Sequence, residues 1–222
     1  MAVSANSVTL VEIRKGVAAF GRKEPRDAMY RVATRLVNQT WGQPSEVADA
    51  IGILLLTWNQ AFYRYGAIDF DRVELALTTH ASDLAHFRQS ELLNLTPSDL
   101  ARVPTLYNAI LASCSIVTSR SRQTRRSPTS AGKALHMLAP NTFPLWDDKI
   151  ARGVGCHGHW LSNSAQDYLG LMKWCDGVLR QITARSNVAH TQASLDASAR
   201  FSKPLLKYLD EYLYAKFTKK WI

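Results

Sequence analysis

The spacing of apolar residues is the feature of this sequence that most limits how the chain can fold. In segment 45–64 apolar side chains recur at intervals of three and four, and segments 100–111 and 168–182 repeat that spacing. Such a period places the apolar residues on one face of a helix. No convincing run alternates apolar with polar residues, and only 11 Gly and 8 Pro interrupt 222 residues. We therefore predict an all-α fold, a single domain over residues 1–222 with two helical lobes.

Signals for helix starts divide the chain further. Thr96 is followed by Pro97 and, three residues on, by Asp99, which is typical of a helix N-terminus, and Ser164 begins a similar pattern. A last helix is predicted over residues 204–217. The least regular stretch is 116–164, which begins polar and basic and ends rich in glycine. Because loops on a rigid scaffold often carry function, we expect the functional segment there.

Positive charge is concentrated in the middle of the chain. The sequence has 27 Lys and Arg against 18 Asp and Glu, a formal net charge of +9. No acidic residue occurs between Asp99 and Asp147, a gap that contains Arg102, Arg120, Arg122, Arg125, Arg126 and Lys133. Arginine forks fit phosphates, so the charge favours a polyanionic partner, although it does not separate nucleic acid from an anionic membrane. A solvated basic loop is the alternative interpretation.

Other sequence features bear on the compartment. The longest apolar run, residues 51–57, is far too short to span a bilayer. The N-terminus lacks the basic and apolar regions of a secretory signal, and three scattered cysteines do not form a paired framework. We expect a cytoplasmic protein with no membrane partner.

Segment 129–152 contains the residues most suggestive of chemistry. It predicts a short helix that ends near Pro140, a tight connection, and a new helix opened by Asp147. Lys133 and His136 share a helix face, and the connection can fold Asp147 back over it. Burial would lower the pKa of Lys133, so that a neutral amine could attack a sugar C1′ while the carboxylate stabilises positive charge. The alternative is a surface lysine beside an ordinary helix cap.

The pattern Gly-Lys-x-Leu-His-x-Leu-x-Pro-x-x-Phe-Pro-x-Trp-Asp, over residues 132–147, resembles the core of the helix-hairpin-helix DNA glycosylase superfamily. The resemblance extends over about residues 129–155. It implies two lobes around a DNA-binding cleft, Lys133 as the nucleophile, and Asp147 rather than Asp148 as the catalytic carboxylate. The segment Trp58-Asn59-x-x-Phe62-Tyr63 is similar to small divergent relatives, including archaeal-type 8-oxoguanine glycosylases.

The sequence departs from the superfamily pattern in two respects. The glycine-rich hairpin that normally precedes the lysine is replaced by the arginine-rich segment 120–126, so either arginines substitute for the hairpin amides or the DNA grip is built differently. Fourteen residues separate Lys133 from Asp147, which is short for members that use the lysine. The position eighteen residues before Asp147 is Thr129, as in members that use the aspartate alone. Both mechanisms therefore stay open.

The resemblance implies base excision from double-stranded DNA, in which one nucleotide is flipped out and its N-glycosidic bond is cut. No cofactor and no obligate protein partner are expected. The candidate base-pocket residues are Trp58, Asn59, Tyr63, His136 and Trp146. The candidate DNA-binding residues are Arg120, Arg122, Arg125, Arg126, Lys149, Arg152, His157 and His159. Two substrates are considered, a hypermodified cytosine of phage DNA in antiviral defence and an oxidised purine such as 8-oxoguanine in repair.

Three other interpretations were weighed. Cys156, His157 and His159 are possible metal ligands, but no second ligand pair accompanies them, so we expect no metal. Arg185 and His190 fit the Arg-x4-His pattern of helical, metal-independent ribonucleases, in which the two side chains polarise a phosphodiester and shuttle protons. A non-enzymatic nucleic-acid-binding module would explain the charge alone.

Overall fold

Helices dominate the computed structural model of the protein, which describes residues 2–118, 122–157, 164–184 and 187–222. Within these residues the α-helices are α1 (Leu10–Lys23), α2 (Ala28–Gln39), α3 (Pro44–Trp58), α4 (Gln60–Tyr63), α5 (Phe70–Thr79), α6 (Ala81–Gln89), α7 (Pro97–Ser113), α8 (Pro128–Leu138), α9 (Asp148–Gly153), α10 (Ser164–Thr183), α11 (Val188–Asp196) and α12 (Leu205–Leu213). Short 3₁₀ turns occur at Ala5–Ser7 and Leu92–Asn94, and a π-helical turn at Tyr214–Thr218 continues α12. The all-α prediction is confirmed. In the segments listed above, no helix has both the length and the apolar character needed to cross a membrane.

One small element of β-structure was not predicted. The strands β1 (Ile116–Val117) and β2 (Thr124–Arg125) pair antiparallel, with Ile116 opposite Arg125. They lie in the arginine-rich segment, which the sequence interpretation treated as an irregular loop. Two-residue strands are too short to show an alternating pattern, so the sequence carried no signal for them.

Most of the predicted helix boundaries are close to the observed ones. Thr96 and Asp99 form a reciprocal capping box at the start of α7, with Pro97 at the first helical position. The single helix predicted over 45–64 is instead divided, because Asn59 leaves helical geometry between α3 and α4. The last predicted helix is observed as α12 and the π-helical turn.

The helices pack around one connected apolar core with α8 near its middle. Buried residues from α1 to α12 belong to a single cluster. Helix α8 contacts α2, α3 and α7, and α12 packs against α1. A Cβ atom on Gly16 would lie 2.5 Å from the Tyr212 Cα, so glycine permits the close approach of α1 and α12. This arrangement brings the C-terminal helix toward the same region as α8; the division into two lobes stays a prediction.

Candidate active site

Lys133 lies at a half-buried position of α8. Capping residues define where this helix begins. Ser127 caps it by accepting a hydrogen bond from the Ser130 N–H, and Pro128 occupies the first turn. The Lys133 Nζ atom donates to the Trp58 carbonyl oxygen at 2.7 Å and lies 5.2 Å from the centre of the Trp58 ring. Trp58 ends α3, so this carbonyl is one that the helix itself leaves unbonded, at the negative end of its dipole.

Burial makes Lys133 a weaker base than an exposed lysine. Loss of hydration lowers its pKa to about 8, and the nearby Lys207 ammonium acts in the same direction. Asp147 and Asp210 partly oppose this shift. Among the described residues no carboxylate oxygen lies within 4 Å of Nζ, and the hydrogen bond to Trp58 is to a neutral group. The amine therefore loses its proton at a lower pH than an exposed lysine does.

A close contact between two backbone segments brings the chain positions of Lys133 and Asp147 near each other. A Cβ atom on Gly132 would overlap the Cβ of Trp146 and lie 3.0 Å from its backbone nitrogen. Only glycine therefore allows α8 to approach the chain at Trp146 this closely. Lys133 and Asp147 are the next residues along each segment, and the Asp147 charge acts on the Lys133 amine. The convergence of the two side chains at one deoxyribose stays a prediction.

Asp147 is held rigidly at the N-terminus of α9. Its Oδ1 atom accepts hydrogen bonds from the backbone N–H groups of Lys149 at 2.9 Å and Ile150 at 3.2 Å. The hydroxyl of Thr218, in the π-helical turn, donates to the same oxygen at 3.0 Å. Oδ2 accepts no hydrogen bond from any residue that the structure describes. One oxygen thus orients the carboxylate, and the other is available to a ligand.

Of the five candidate base-pocket residues, Trp58 is the one whose side chain lies at the candidate site and is part-exposed. Its ring is half-buried and stacks on the buried Tyr30 ring, with 6.2 Å between centroids and 28° between planes. Asn59 has a different task, because its amide donates to the hydroxyls of Ser127 at 3.0 Å and Ser130 at 2.8 Å. These bonds tie the break between α3 and α4 to the start of α8, so Asn59 positions Lys133 indirectly.

The other three candidate pocket residues lie in the core, which corrects the expectation that they line a pocket. Tyr63 is buried and donates its hydroxyl to the Cys114 carbonyl at 3.0 Å. His136 is fully buried: Nδ1–H donates to the Phe143 carbonyl at 2.7 Å, so Nε2 accepts from the Tyr30 hydroxyl at 3.3 Å. Burial lowers the His136 pKa to about 3, and the ring stays neutral. Trp146 is buried under α8. Apolar and aromatic residues at helical spacing fit a core as well as a pocket, and here packing prevails.

Sequence reasoning missed a group of buried charges that adjoins Lys133. Lys207 of α12 is 1% exposed, and its Nζ lies 3.2 Å from Asp210, 3.6 Å from Glu211 and 3.9 Å from Asp27. Lys203 also pairs with Asp27 and Glu211. We call these five residues the α12 ion cluster. A signal was present, since Lys207 and its acidic partners occur at intervals of three and four inside an apolar helix segment.

The candidate DNA-binding residues form two groups on the surface. Arg122, Arg125 and Arg126 are exposed on or beside the hairpin and pair with no carboxylate of the described chain, and Arg125 lies 5.6 Å from the centre of the Tyr65 ring. Arg120 lies outside the described residues. This hairpin contributes cations that are available to an anionic partner.

The second group is partly neutralised by one carboxylate. Asp148 pairs with Arg152 at 3.0 Å and with His157 at 2.5 Å, while Lys149 is exposed. His159 lies outside the described residues. No set of three metal-ligating side chains occurs in the parts of the chain that can be described.

One member of the candidate ribonuclease pair can be described. His190 is exposed on α11, and its backbone N–H donates to the Asn187 side chain at 2.7 Å. Arg185 lies outside the described residues.

No known protein supplies a comparison for this site. No family model matches the chain, and neither a curated protein nor a solved structure matches it. The functional interpretation therefore depends on the site's own geometry and on the sequence resemblance.

Proposed function

We propose that the protein is a DNA glycosylase that flips a damaged or modified base out of double-stranded DNA and cleaves its N-glycosidic bond. The observation that carries this proposal is Lys133, a half-buried amine with no ion-pair partner within 4 Å in the described chain, on which the charge of the helix-capping carboxylate Asp147 acts, and Asp147 has one oxygen that accepts no hydrogen bond from the described residues. A nucleophilic amine and a fixed negative charge are the two groups that attack at C1′ requires.

In the proposed reaction the neutral Lys133 amine forms a bond to C1′ as the bond from C1′ to the base nitrogen breaks. The electron pair of that bond leaves with the base, which takes up a proton. One amine proton balances the proton that the base takes up. The nitrogen lone pair then forms the second bond to C1′ as the bond from C1′ to the ring oxygen breaks; the ring oxygen keeps that electron pair and takes up the second amine proton as a hydroxyl, which leaves an imine between the lysine and C1′. Asp147 Oδ2 stabilises the positive charge that develops at C1′. In the alternative mechanism, Asp147 activates a water molecule, and no covalent bond to the protein forms.

DNA binding would use the exposed cations on both sides of the site. The hairpin arginines Arg122, Arg125 and Arg126 and the exposed Lys149 can neutralise backbone phosphates. The half-buried Trp58 ring offers a surface on which the flipped base can stack. Binding through phosphates predicts an affinity that falls as salt concentration rises.

The substrate is proposed as one of two classes, a glucosylated hydroxymethylcytosine of phage DNA or an oxidised purine such as 8-oxoguanine. The test is a panel of duplexes that carry either class of base, scored for abasic sites and, with borohydride, for a covalent protein–DNA adduct. Borohydride reduces the imine to a stable amine. We expect base release and an adduct with one class, loss of the adduct in Lys133→Ala, and its retention in the surface control Lys23→Ala.

Other results would select other functions. Abasic sites without an adduct, lost in Asp147→Asn, would support the water mechanism. Binding without base release over the whole panel would contradict the glycosylase proposal and favour a binding module. RNA cleavage that is lost in His190→Ala would favour the ribonuclease.

A further inference from the structure

Two lysines from different helices share the Trp58 ring. Lys133 Nζ lies 5.2 Å from the ring centre, and Lys207 Nζ of α12 lies 5.7 Å from it. Lys207 also lies 5.0 Å from the centre of the Tyr30 ring, which stacks on Trp58. The α12 ion cluster is therefore contiguous with the candidate active site through a pair of stacked aromatic rings.

The carboxylates of this region are distributed unequally between the two lysines. Lys207 has Asp27, Asp210 and Glu211 within 4 Å, whereas no carboxylate oxygen of the described residues comes that close to Lys133. Asp210 lies near enough to Lys133 to influence its charge, yet its Oδ2 atom accepts a hydrogen bond from Lys207 at 3.2 Å. Lys207 thus holds a carboxylate that could otherwise pair with Lys133.

The charged groups that face Lys133 come from two neighbouring elements. Asp147 faces it from the start of α9, and Asp210 and Lys207 face it from α12. Asp27, Glu211 and the Tyr30 hydroxyl in turn act on the charge of Lys207. Lys203 pairs with both Asp27 and Glu211. The balance of these charges decides whether the Lys133 amine keeps its proton.

We propose that Lys207 is a positioning residue of the candidate active site, which binds Asp210, the carboxylate of the α12 ion cluster that acts on Lys133, so that Asp210 does not pair with Lys133. The Lys133 amine is thereby left able to lose its proton and act as a nucleophile. Its nucleophilic role rests on the proposed function, whereas its protonation can be measured without any reaction on DNA.

Removal of the Lys207 charge and removal of the Asp210 charge should shift the pKa of Lys133 in opposite directions. Without the Lys207 charge, the three carboxylates are unbalanced, and their field favours the protonated form of Lys133. Without the Asp210 charge, Lys207 is partly unbalanced, and its field disfavours that form. A residue with a merely structural role would not produce shifts of opposite sign.

The test is the pH dependence of lysine acetylation by acetic anhydride in the full-length protein, measured by mass spectrometry for each residue. Lys23, exposed at the end of α1, is the internal reference. We expect the Lys133 pKa to be about 8, well below the ordinary lysine value, to move up by at least about one unit in Lys207→Met, and to move down in Asp210→Asn. An unchanged Lys133 titration in both variants, or a shift of the same sign, would overturn the inference.

If Lys207→Met does not fold, Asp210→Asn decides by itself. A downward shift supports the inference, and an unchanged or upward shift overturns it. This readout is separate from base excision: failure of the whole DNA panel contradicts the proposed function, while the labelling result still stands. With an active protein, the acidic limb of the adduct-forming rate must move in the same direction as the labelling.

Discussion

Lys133 and Lys207 are buried against the same aromatic ring, but their surroundings give them opposite properties. Burial lowers the pKa of Lys133 to about 8. Its hydrogen bond is to the neutral Trp58 carbonyl, which supplies no counter-charge to offset the burial. Burial would also lower the pKa of Lys207, but Asp210, Glu211 and Asp27 outweigh it and raise the value above that of a free lysine. The comparison indicates that the counter-charges, rather than burial, decide whether the pKa of a lysine at this ring lies below or above its ordinary value.

The most direct test of this difference between Lys133 and Lys207 is to remove each ammonium in turn. Lys207→Met leaves three carboxylates without their shared cation, so we expect a loss of about 3–5 kcal/mol in the free energy of unfolding. Lys133→Met removes a cation that has no ion pair with the described residues and relieves the cost of holding that charge out of water, so at pH 7 we expect no loss of stability and a gain of up to about 3 kcal/mol. Urea denaturation at pH 7 measures both. Equal losses would contradict the distinction.

Two carboxylates that act on Lys133, Asp147 and Asp210, can be compared in the same way. Asp147 caps α9 and is assigned to the reaction, and asparagine also caps helices well. Asp147→Asn should therefore lower base release by about 10²–10³-fold, roughly 3–4 kcal/mol of barrier, with little loss of stability. Single-turnover assays on the substrate found in the panel give the rate, and thermal melting gives the stability. Asp210→Asn serves as the comparison variant, and an unaltered rate in Asp147→Asn would contradict its role.

The pH dependence of the free energy of unfolding tests the lowered pKa of Lys133 without any substrate. The pKa of Lys133 is about 8 in the folded state and about 10.5 when exposed, so between these values the unfolded state binds more protons. The free energy of unfolding therefore gains a term that rises with pH over this window, by up to about 3 kcal/mol. Lys133→Met lacks this term, whereas Lys23→Met keeps it.

The measurement is the difference in unfolding free energy between the wild type and each variant at pH 7 and pH 10. For Lys133→Met this difference should move in favour of the wild type as pH rises. A difference that stays constant over this window would contradict the lowered pKa of Lys133.

Local signals in the sequence were enough for the helices that were predicted, whereas the pairing of Lys133 with Asp147 stays a prediction. The capping pattern at Thr96 and the apolar period of α7 and α10 act over a few residues, so they could be interpreted without tertiary information. His136 and Trp146 were misassigned because an apolar face does not reveal which neighbour covers it. The link between α12 and Lys133 could not be predicted, since seventy-four residues separate Lys133 from Lys207 in the chain.

The smallest expected effect is the loss of stability in Gly132→Ala, which tests the close contact between α8 and Trp146. A Cβ atom on Gly132 would overlap Trp146, so Gly132→Ala should force α8 away from that segment and cost about 1–3 kcal/mol of stability. Gly21 of α1 is the matched control, because nothing lies within 4 Å of its added Cβ, and alanine there should stabilise the helix by up to about 1 kcal/mol.

Urea denaturation of both variants checks the sign of each change, and acetylation of Lys133 checks its surroundings. Displacement of α8 separates the amine from Asp147, which otherwise raises its pKa, and shifts it relative to the Trp58 carbonyl. Gly132→Ala should therefore change the Lys133 titration while Gly21→Ala leaves it unchanged. If Gly132→Ala were as stable as Gly21→Ala and titrated like the wild type, the close contact would not be what brings Lys133 and Asp147 together.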